Sequence, residues 1–318
     1  MFNSVKRMQK APRLKDVAFV GLGVMGGAMA RNLIRKSGCS LRVFDVANKA
    51  LAPFRQLDCR IAASARDAAA GAQAVITMLP DVAHVESALL GPEGACTALA
   101  PGGLVIDMST ISASGSDRIC AEVRRRGHRF IDAPVGRTPR DAEAGAALVI
   151  VGADKADLEE ARPLFACIGD KIVYAGRNGA GIRLKLVNNY MSIVGTVLTA
   201  EALTLANKVG LDRAVTVEVL SSTSAGRGQL IVNYPNKVLA GDITADFPLR
   251  MAHKDVSHAL SLGADAGVPL MLGAVARETF NLAKPWGREN EDYSAMLLLL
   301  EDIARAEHLA PIAPAKAN

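Results

Sequence analysis

The first ordered pattern in the chain is an unbroken apolar run, Val17-Ala18-Phe19-Val20, without the polar alternation of a half-exposed strand. Further short runs of strand character follow at Leu41 to Phe44, Ala74 to Met78, Leu104 to Ile106, Phe130-Ile131, Ala147 to Val151 and Lys171 to Tyr174. Alanine-rich stretches of helical composition separate most of them. Strands that are apolar on both faces and alternate with helices predict a mostly parallel sheet covered on both sides. After Tyr174 the texture changes. Gly176, Gly179 and Gly181 mark a turn, and no further strand pattern appears. Ile182 to Val209 has the length of one long helix. Helical patterns follow at Asp212 to Ser221, His253 to Ala266, Gly273 to Leu282 and Met296 to Ala306.

Composition narrows the classes. A length of 318 residues suits about two domains. The net charge of +5 is modest and the aromatic fraction only 4%, so there is little to stack bases on, and no nucleic-acid partner is expected. Part of the positive charge sits in Lys6, Arg7, Lys10, Arg13 and Lys15, before the first strand. The remainder suits an anionic cofactor and an anionic substrate. The five cysteines are odd in number, scattered and never in Cys-x-x-Cys spacing, which predicts a reducing, cytoplasmic setting without a zinc site. The histidines form no ligand spacing, so no metal is expected. Ile193 to Ala200 is the most tempting membrane segment, but it is broken by Gly195, Thr196 and Thr199 and too short to span a membrane.

The first chemical signal is Gly21-Leu22-Gly23-Val24-Met25-Gly26, which directly follows a predicted strand and opens a predicted helix. In that context Gly-x-Gly-x-x-Gly is a dinucleotide fingerprint. Gly21 permits the turn, Gly23 lets backbone approach a pyrophosphate, and Gly26 lets helix and strand pack closely. The phosphates then meet the free N–H groups of the helix N-terminus. Asp45 ends the second strand, where a carboxylate accepts from ribose hydroxyls and repels a 2′-phosphate; this favours NAD(H) over the phosphorylated cofactor. Arg42, two residues upstream, leaves a dual preference open.

The expected fold class is therefore α/β: a Rossmann-type, doubly wound, mostly parallel sheet, then an all-α C-terminal domain joined through a long interdomain helix. The expected parts are a basic tail over 1–15, an NAD-binding domain over 16–177, a helical substrate and dimerisation domain over 178–306, and a loose end over 307–318.

On the long helix, Lys185, Asn188, Asn189 and Ser192 recur at i, i+3, i+4 and i+7 among apolar neighbours such as Ile182, Leu186 and Ile193. They form one polar stripe. Such a stripe faces either solvent, with a snorkelling lysine, or a cleft, because buried polar groups need partners.

Several blocks in fixed order carry a family resemblance: Gly21 to Leu33, Thr77-Met78-Leu79-Pro80, Asp107-Met108-Ser109-Thr110, Asp132-Ala133-Pro134-Val135, Gly179-Ala180-Gly181 with Lys185 and Asn188-Asn189, and Lys254-Asp255. Together they resemble the β-hydroxyacid dehydrogenase family, over about Asp16 to Ala306. The resemblance implies that Lys185 is the catalytic proton donor or acceptor and that Asn189 helps hold substrate. It places Met78, Leu79, Pro80 and Thr110 at the cofactor, Ser109 at the substrate, and Lys254 toward the nicotinamide. It also implies a homo-oligomer, dimer or tetramer.

The family's Ser-Gly-Gly after Asp-Ala-Pro-Val is replaced by Gly136-Arg137-Thr138. That variant resembles the sulfolactaldehyde-reducing members of the family, as do Pro235 to Leu239 and Ala252-His253-Lys254-Asp255. It implies NADH-dependent reduction of 3-sulfolactaldehyde to 2,3-dihydroxypropane-1-sulfonate, with Arg137, Thr138, Asn188, Asn189 and Ser192 around the anion. A guanidinium fork suits a sulfonate. It suits a carboxylate equally, so 3-hydroxyisobutyrate, tartronate semialdehyde and succinic semialdehyde chemistry stay open. A nucleotide-sensing scaffold would need neither the lysine stripe nor an anion pocket, and an NADPH-dependent imine-reducing relative commonly lacks the lysine.

Overall fold

The computed structural model describes residues 14–308 and 310–312. Most of the expected basic tail and of the expected loose end lies outside the described residues.

Nine strands are described: β1 (Asp16–Val20), β2 (Ser40–Phe44), β3 (Arg60–Ile61), β4 (Ala74–Thr77), β5 (Leu104–Asp107), β6 (Arg129–Asp132), β7 (Val135–Gly136), β8 (Ala147–Gly152) and β9 (Gly169–Gly176). They make one sheet in the order β3-β2-β1-β4-β5-β6-β8-β7, with β9 paired to β8. Pairing is parallel from β3 through β6, and β8 runs antiparallel to β6 and β7. Val17 stands opposite both Leu41 and Ala74, so the carboxyl ends of β2, β1 and β4 come level at one edge. Winding reverses between β1 and β4, the switch point at which a dinucleotide fits. The two-residue strands β3 and β7 were not expected.

The unbroken apolar runs are explained by burial on both faces. Val17 and Phe19 pack with Met29 and Leu33 on one side, while Ala18 and Val20 pack with Val75 and Phe130 on the other. The covering helices are α1 (Val24–Lys36), α2 (Asn48–Leu51), α3 (Ala65–Ala69), α4 (Val82–Leu90), α5 (Ala113–Arg125), α6 (Pro139–Ala144) and α7 (Lys155–Ile168). Ser64, Asp81, Ser112 and Thr138 cap α3, α4, α5 and α6, each accepting the N–H three residues on.

α8 (Ala180–Lys208) is the long helix. The chain divides into two compact units, Met1–Tyr190 and Met191–Asn318, so the division falls inside α8 rather than at its start. The first unit keeps the opening turns of α8 because they are hydrogen-bonded to the sheet. The second unit contains α9 (Arg213–Ser222), α10 (Ser224–Arg227), α11 (Gln229–Val232), α12 (Leu249–Ala266), α13 (Met271–Asn281) and α14 (Met296–Ala304). Its own core is small, centred on Leu249, Ala283, Ala295 and Leu299. Buried Asp292 stabilises it by accepting both the N–H and the hydroxyl of Ser294.

Candidate active site

The glycine loop divides its three glycines by function. Gly21 has φ +96°, and a methyl group there would stand 2.3 Å from the Met78 carbonyl oxygen. At Gly26 a methyl group would stand 2.0 Å from the Gly21 carbonyl oxygen. Both glycines are demanded by the protein's own packing. Gly23 is different: a methyl group there would meet nothing within 4 Å. Gly23 is the N-cap of α1 and contributes no side-chain cap, so the amides of the first turn are left for a ligand. Open space against free amides fits the pyrophosphate of NAD(H).

Asp45 does more than its sequence position implies. One carboxylate oxygen accepts the Leu22 N–H at 2.7 Å and the other accepts the Ala47 N–H at 2.7 Å. The side chain therefore ties the glycine loop to the turn after β2, with further carboxylate lone pairs left over. A cavity of about 650 Å³ lies beside it, lined by Phe44, Val46, Arg55 and Ala62 among others. Arg42 donates to the Ala70 carbonyl.

The neighbouring strand ends are braced from below. Thr77 donates its hydroxyl to buried Asp107 at 2.8 Å, Asp107 accepts the Ser109 N–H at 3.1 Å, and the Ser109 hydroxyl accepts the Leu79 N–H at 2.9 Å. Burial pushes the Asp107 carboxyl above the usual carboxylate range. Ser109 is only 1% exposed. The structure thus places Ser109 behind the Met78-Leu79-Pro80 segment, supporting it through the Leu79 N–H. Met78, Leu79 and Thr110 are partly exposed and Pro80 is exposed at the strand ends.

The start of α8 is held by a carboxylate that the sequence reading quoted only as part of a motif. Asp132, at the end of β6, accepts the Gly179 N–H at 2.7 Å and the Ile182 N–H at 2.8 Å. Asn178 donates to the Phe130 carbonyl. The fit is close: a methyl group on Gly181 would lie 2.7 Å from the Asp132 carbonyl oxygen, the Gly152 nitrogen and the Ile150 carbonyl oxygen. Burial raises the Asp132 carboxyl to about 6 in spite of the two amide hydrogen bonds. A signal for this role exists in the sequence, an acid at a strand end and a Gly-x-Gly helix start, but their pairing spans 47 and 50 residues.

Lys185 follows one turn into α8. It is half-buried, makes no ion pair among the described residues, and burial lowers its ammonium below the usual lysine range. Asn188 donates to the Asn189 side-chain oxygen at 3.3 Å. Ser192, on the same helix, and Lys254, on α12, belong to the second unit. Ser192 is exposed, and Lys254 pairs with Asp255 at 3.1 Å.

The substituted motif gives a mixed result. Arg137 leaves β7 with φ +73°, a conformation that favours glycine. Its Nη1 donates to the Ala146 carbonyl and to Asp170 at 2.6 Å. Thr138 is occupied as the cap of α6, in a reciprocal pair with Asp141. Asn32 and Arg31, in the α1 motif block, anchor α6 in turn: Asn32 donates to the Ala142 carbonyl at 2.9 Å, and Arg31 pairs with Glu143.

Among the described residues no cluster of acids, histidines and cysteines could hold a metal, and no helix is long and apolar enough to cross a membrane.

Comparison with known proteins agrees with this geometry. Residues 16–176 match the NAD-binding domain of 6-phosphogluconate dehydrogenase, and residues 179–300 match the NAD-binding domain of NADP-dependent 3-hydroxyisobutyrate dehydrogenase. The chain is 41% identical to 3-sulfolactaldehyde reductase of Escherichia coli, over 88% of this chain and 94% of that protein. It is 36% identical to 3-hydroxyisobutyrate dehydrogenase of Pseudomonas aeruginosa, over 89% and 97%. Among solved structures, Mycobacterium tuberculosis 3-hydroxyisobutyrate dehydrogenase with L-serine superposes with a TM-score of 0.63 at 30% identity, covering 90% of this chain and 99% of that one. A glycine loop shaped for a pyrophosphate, a capped helix bearing a half-buried lysine, and matches along nearly the whole chain lead to one conclusion: the protein belongs to the β-hydroxyacid dehydrogenase family of NAD-dependent oxidoreductases acting on CH–OH groups.

Proposed function

We propose that this dehydrogenase reduces a small anionic aldehyde with NADH, the substrate being 3-sulfolactaldehyde and the product 2,3-dihydroxypropane-1-sulfonate. The observation that carries the reading is Arg137. A non-glycine residue at φ +73° costs about 1 kcal/mol or more, and such strain persists where the side chain is needed. A guanidinium in place of the family's Ser-Gly-Gly is suited to the three oxygens and full charge of a sulfonate. The likeness to 3-sulfolactaldehyde reductase supports it.

In this reading NADH supplies hydride to the aldehyde carbon when bound. Gly23 and the first amides of α1 hold the pyrophosphate, Asp45 the ribose, and Met78, Leu79, Pro80, Thr110 and Lys254 flank the cofactor. Arg137, Thr138, Asn188, Asn189 and Ser192 orient the anion and the adjacent hydroxyl. Lys185 stabilises the oxygen as negative charge develops and donates its proton there, leaving a neutral amine that solvent reprotonates. Burial of Lys185 lets the same group accept a proton in the oxidative direction.

Steady-state kinetics with NADH and 3-sulfolactaldehyde, succinic semialdehyde and methylmalonate semialdehyde test the reading. We expect kcat/KM to be at least about tenfold higher for the sulfonate. A preference for either carboxylate replaces it with the second reading, a carboxylate-specific 3-hydroxyacid or 4-hydroxybutyrate dehydrogenase. That alternative is favoured by the 36% identity to 3-hydroxyisobutyrate dehydrogenase and by the ability of arginine to fork a carboxylate.

The protein acts as a homo-oligomer, dimer or tetramer, in the cytoplasm. Val187, Tyr190, Ile193 and Leu198 of α8 are each more than half exposed in the single chain, a large apolar investment for a helix face left in water. The scattered, odd set of cysteines suits the compartment.

A further inference from the structure

Two local irregularities in the first unit meet in one contact. The first is Arg137, the strained residue that follows β7. The second is Asp170. Between β8 and β9 the register runs from Ala147 opposite Gly169 to Leu148 opposite Lys171, so Asp170 is the extra residue of a β-bulge. Bulges re-aim a side chain and recur beside active sites. The bulge needs Gly169, because a methyl group there would lie 2.2 Å from the Ala147 carbonyl oxygen. Its result is that the Asp170 carboxylate reaches Arg137 Nη1 at 2.6 Å, while the same nitrogen donates to the Ala146 carbonyl.

The pattern of occupancy matters more than the ion pair itself. Nη1 carries two acceptors, whereas Nε and Nη2 make no hydrogen bond among the described residues. Those two nitrogens form the edge of a guanidinium that grips two oxygens of an anion side by side. Both partners are partly exposed, with side-chain exposures of 37% and 55%, so the pair adds little to stability. Two departures from regular backbone for a weak surface pair make poor sense as stabilisation, but good sense as orientation.

We propose that Asp170 is a positioning residue for substrate specificity: it pins one nitrogen of Arg137 and so presents the opposite edge of the guanidinium to the oxyanion of the substrate. This rests on the reading of Arg137 as the anion receptor. Asp170 itself touches no substrate. Its effect is confined to substrates that carry the anion, whether sulfonate or carboxylate.

The experiment compares wild type, Asp170→Ala, Asp170→Glu, Arg137→Ala and the double variant Arg137→Ala/Asp170→Ala, on the preferred anionic aldehyde and on neutral glyceraldehyde. Thermal unfolding and NADH titration are measured alongside. Arg137→Ala raises KM for the anionic aldehyde on the order of tenfold to a hundredfold, and for glyceraldehyde by a much smaller factor. Asp170→Ala raises the anionic KM about two- to fivefold, with kcat, NADH affinity and glyceraldehyde turnover unchanged. Asp170→Glu recovers part of the loss, and Asp170→Ala has no added effect once Arg137 is removed. Equal losses on both aldehydes, or an undiminished Asp170→Ala effect without Arg137, overturn the positioning role while leaving the anion reading intact. An unchanged anionic KM in Arg137→Ala removes the anion reading and this role of Asp170 with it.

Discussion

The Asp132 carboxylate accepts the Ile182 N–H at 2.8 Å, so the helix that carries Lys185 begins on a buried acid at the end of a sheet strand. The second oxygen accepts the Gly179 N–H. Backbone amides at a helix start carry partial positive charge, which a carboxylate satisfies better than water-sized neutral partners. The cost is desolvation, visible in the raised carboxyl. The arrangement fixes where α8 starts, and hence where Lys185 stands.

A pH prediction follows from that carboxyl. Its value of about 6 in the folded protein lies above the unfolded value of about 3.9, so its contribution to stability is fully present below the unfolded value and is lost as pH rises through 6. The stability advantage of wild type over Asp132→Asn is therefore expected to shrink from pH 4.5 to pH 7.5. At neutral pH the variant loses about 1–3 kcal/mol, because amide nitrogen replaces one acceptor. Urea unfolding at several pH values checks this; parallel curves for the two proteins would remove Asp132 as the titrating group.

The three glycines respond differently to the same substitution. Gly23→Ala leaves the unfolding midpoint within about 0.5 kcal/mol of wild type, as expected of a side chain that meets nothing, yet weakens NADH binding by about tenfold or more. Gly26→Ala collides with the Gly21 carbonyl and destabilises the first unit by about 1–3 kcal/mol even without cofactor. Differential scanning fluorimetry with NADH titration separates the two. Equal destabilisation at both positions would contradict the assignment of Gly23 to the ligand.

Ser109→Ala decides between support and substrate contact. Loss of the hydroxyl leaves the Leu79 N–H without its acceptor, at about 1–2 kcal/mol of stability. NADH affinity falls because the Met78-Leu79-Pro80 segment loses its brace, while KM for the aldehyde stays near wild type at saturating NADH. A selective rise in aldehyde KM would return Ser109 to the substrate pocket.

Lys185→Ala is expected to reduce kcat by about a hundredfold to ten-thousandfold while NADH still binds with wild-type affinity. In wild type, burial shifts the lysine downward. In the proposed mechanism reduction uses the ammonium, so its rate is expected to fall as pH rises through that lowered value, and oxidation of the alcohol to rise over the same range. Rapid-mixing turnover in both directions measures the two limbs; retained turnover in the alanine variant would end the proton-donor assignment.

Legibility varied with the range of the interaction. The strands β1, β2, β4, β5 and β8, helix α1 and the long α8 were readable because burial on both faces and helical periodicity are written in consecutive residues. Gly26 was readable for the same reason, since the clash that forbids a side chain there is with a residue five positions earlier, and Gly21 was readable from its turn, although the atom a side chain would strike there belongs to distant Met78. Lys185, Asn188, Asn189 and Ser192 shared a stripe by spacing alone.

What the amino-acid order determined, then, was the set of elements, the glycine turn and the lysine-bearing stripe, all governed by local sterics and period. The tertiary structure decided the partners. It placed Asp132 under α8, Ser109 behind Leu79, Asp45 against Leu22 and Asp170 on Arg137, pairs separated by 23 to 50 residues. A polar side chain can accept from any amide brought within 3 Å, and which amide that is depends on how the strands are stacked in the sheet. That stacking is a property of the whole packed layer, which no single stretch of sequence contains.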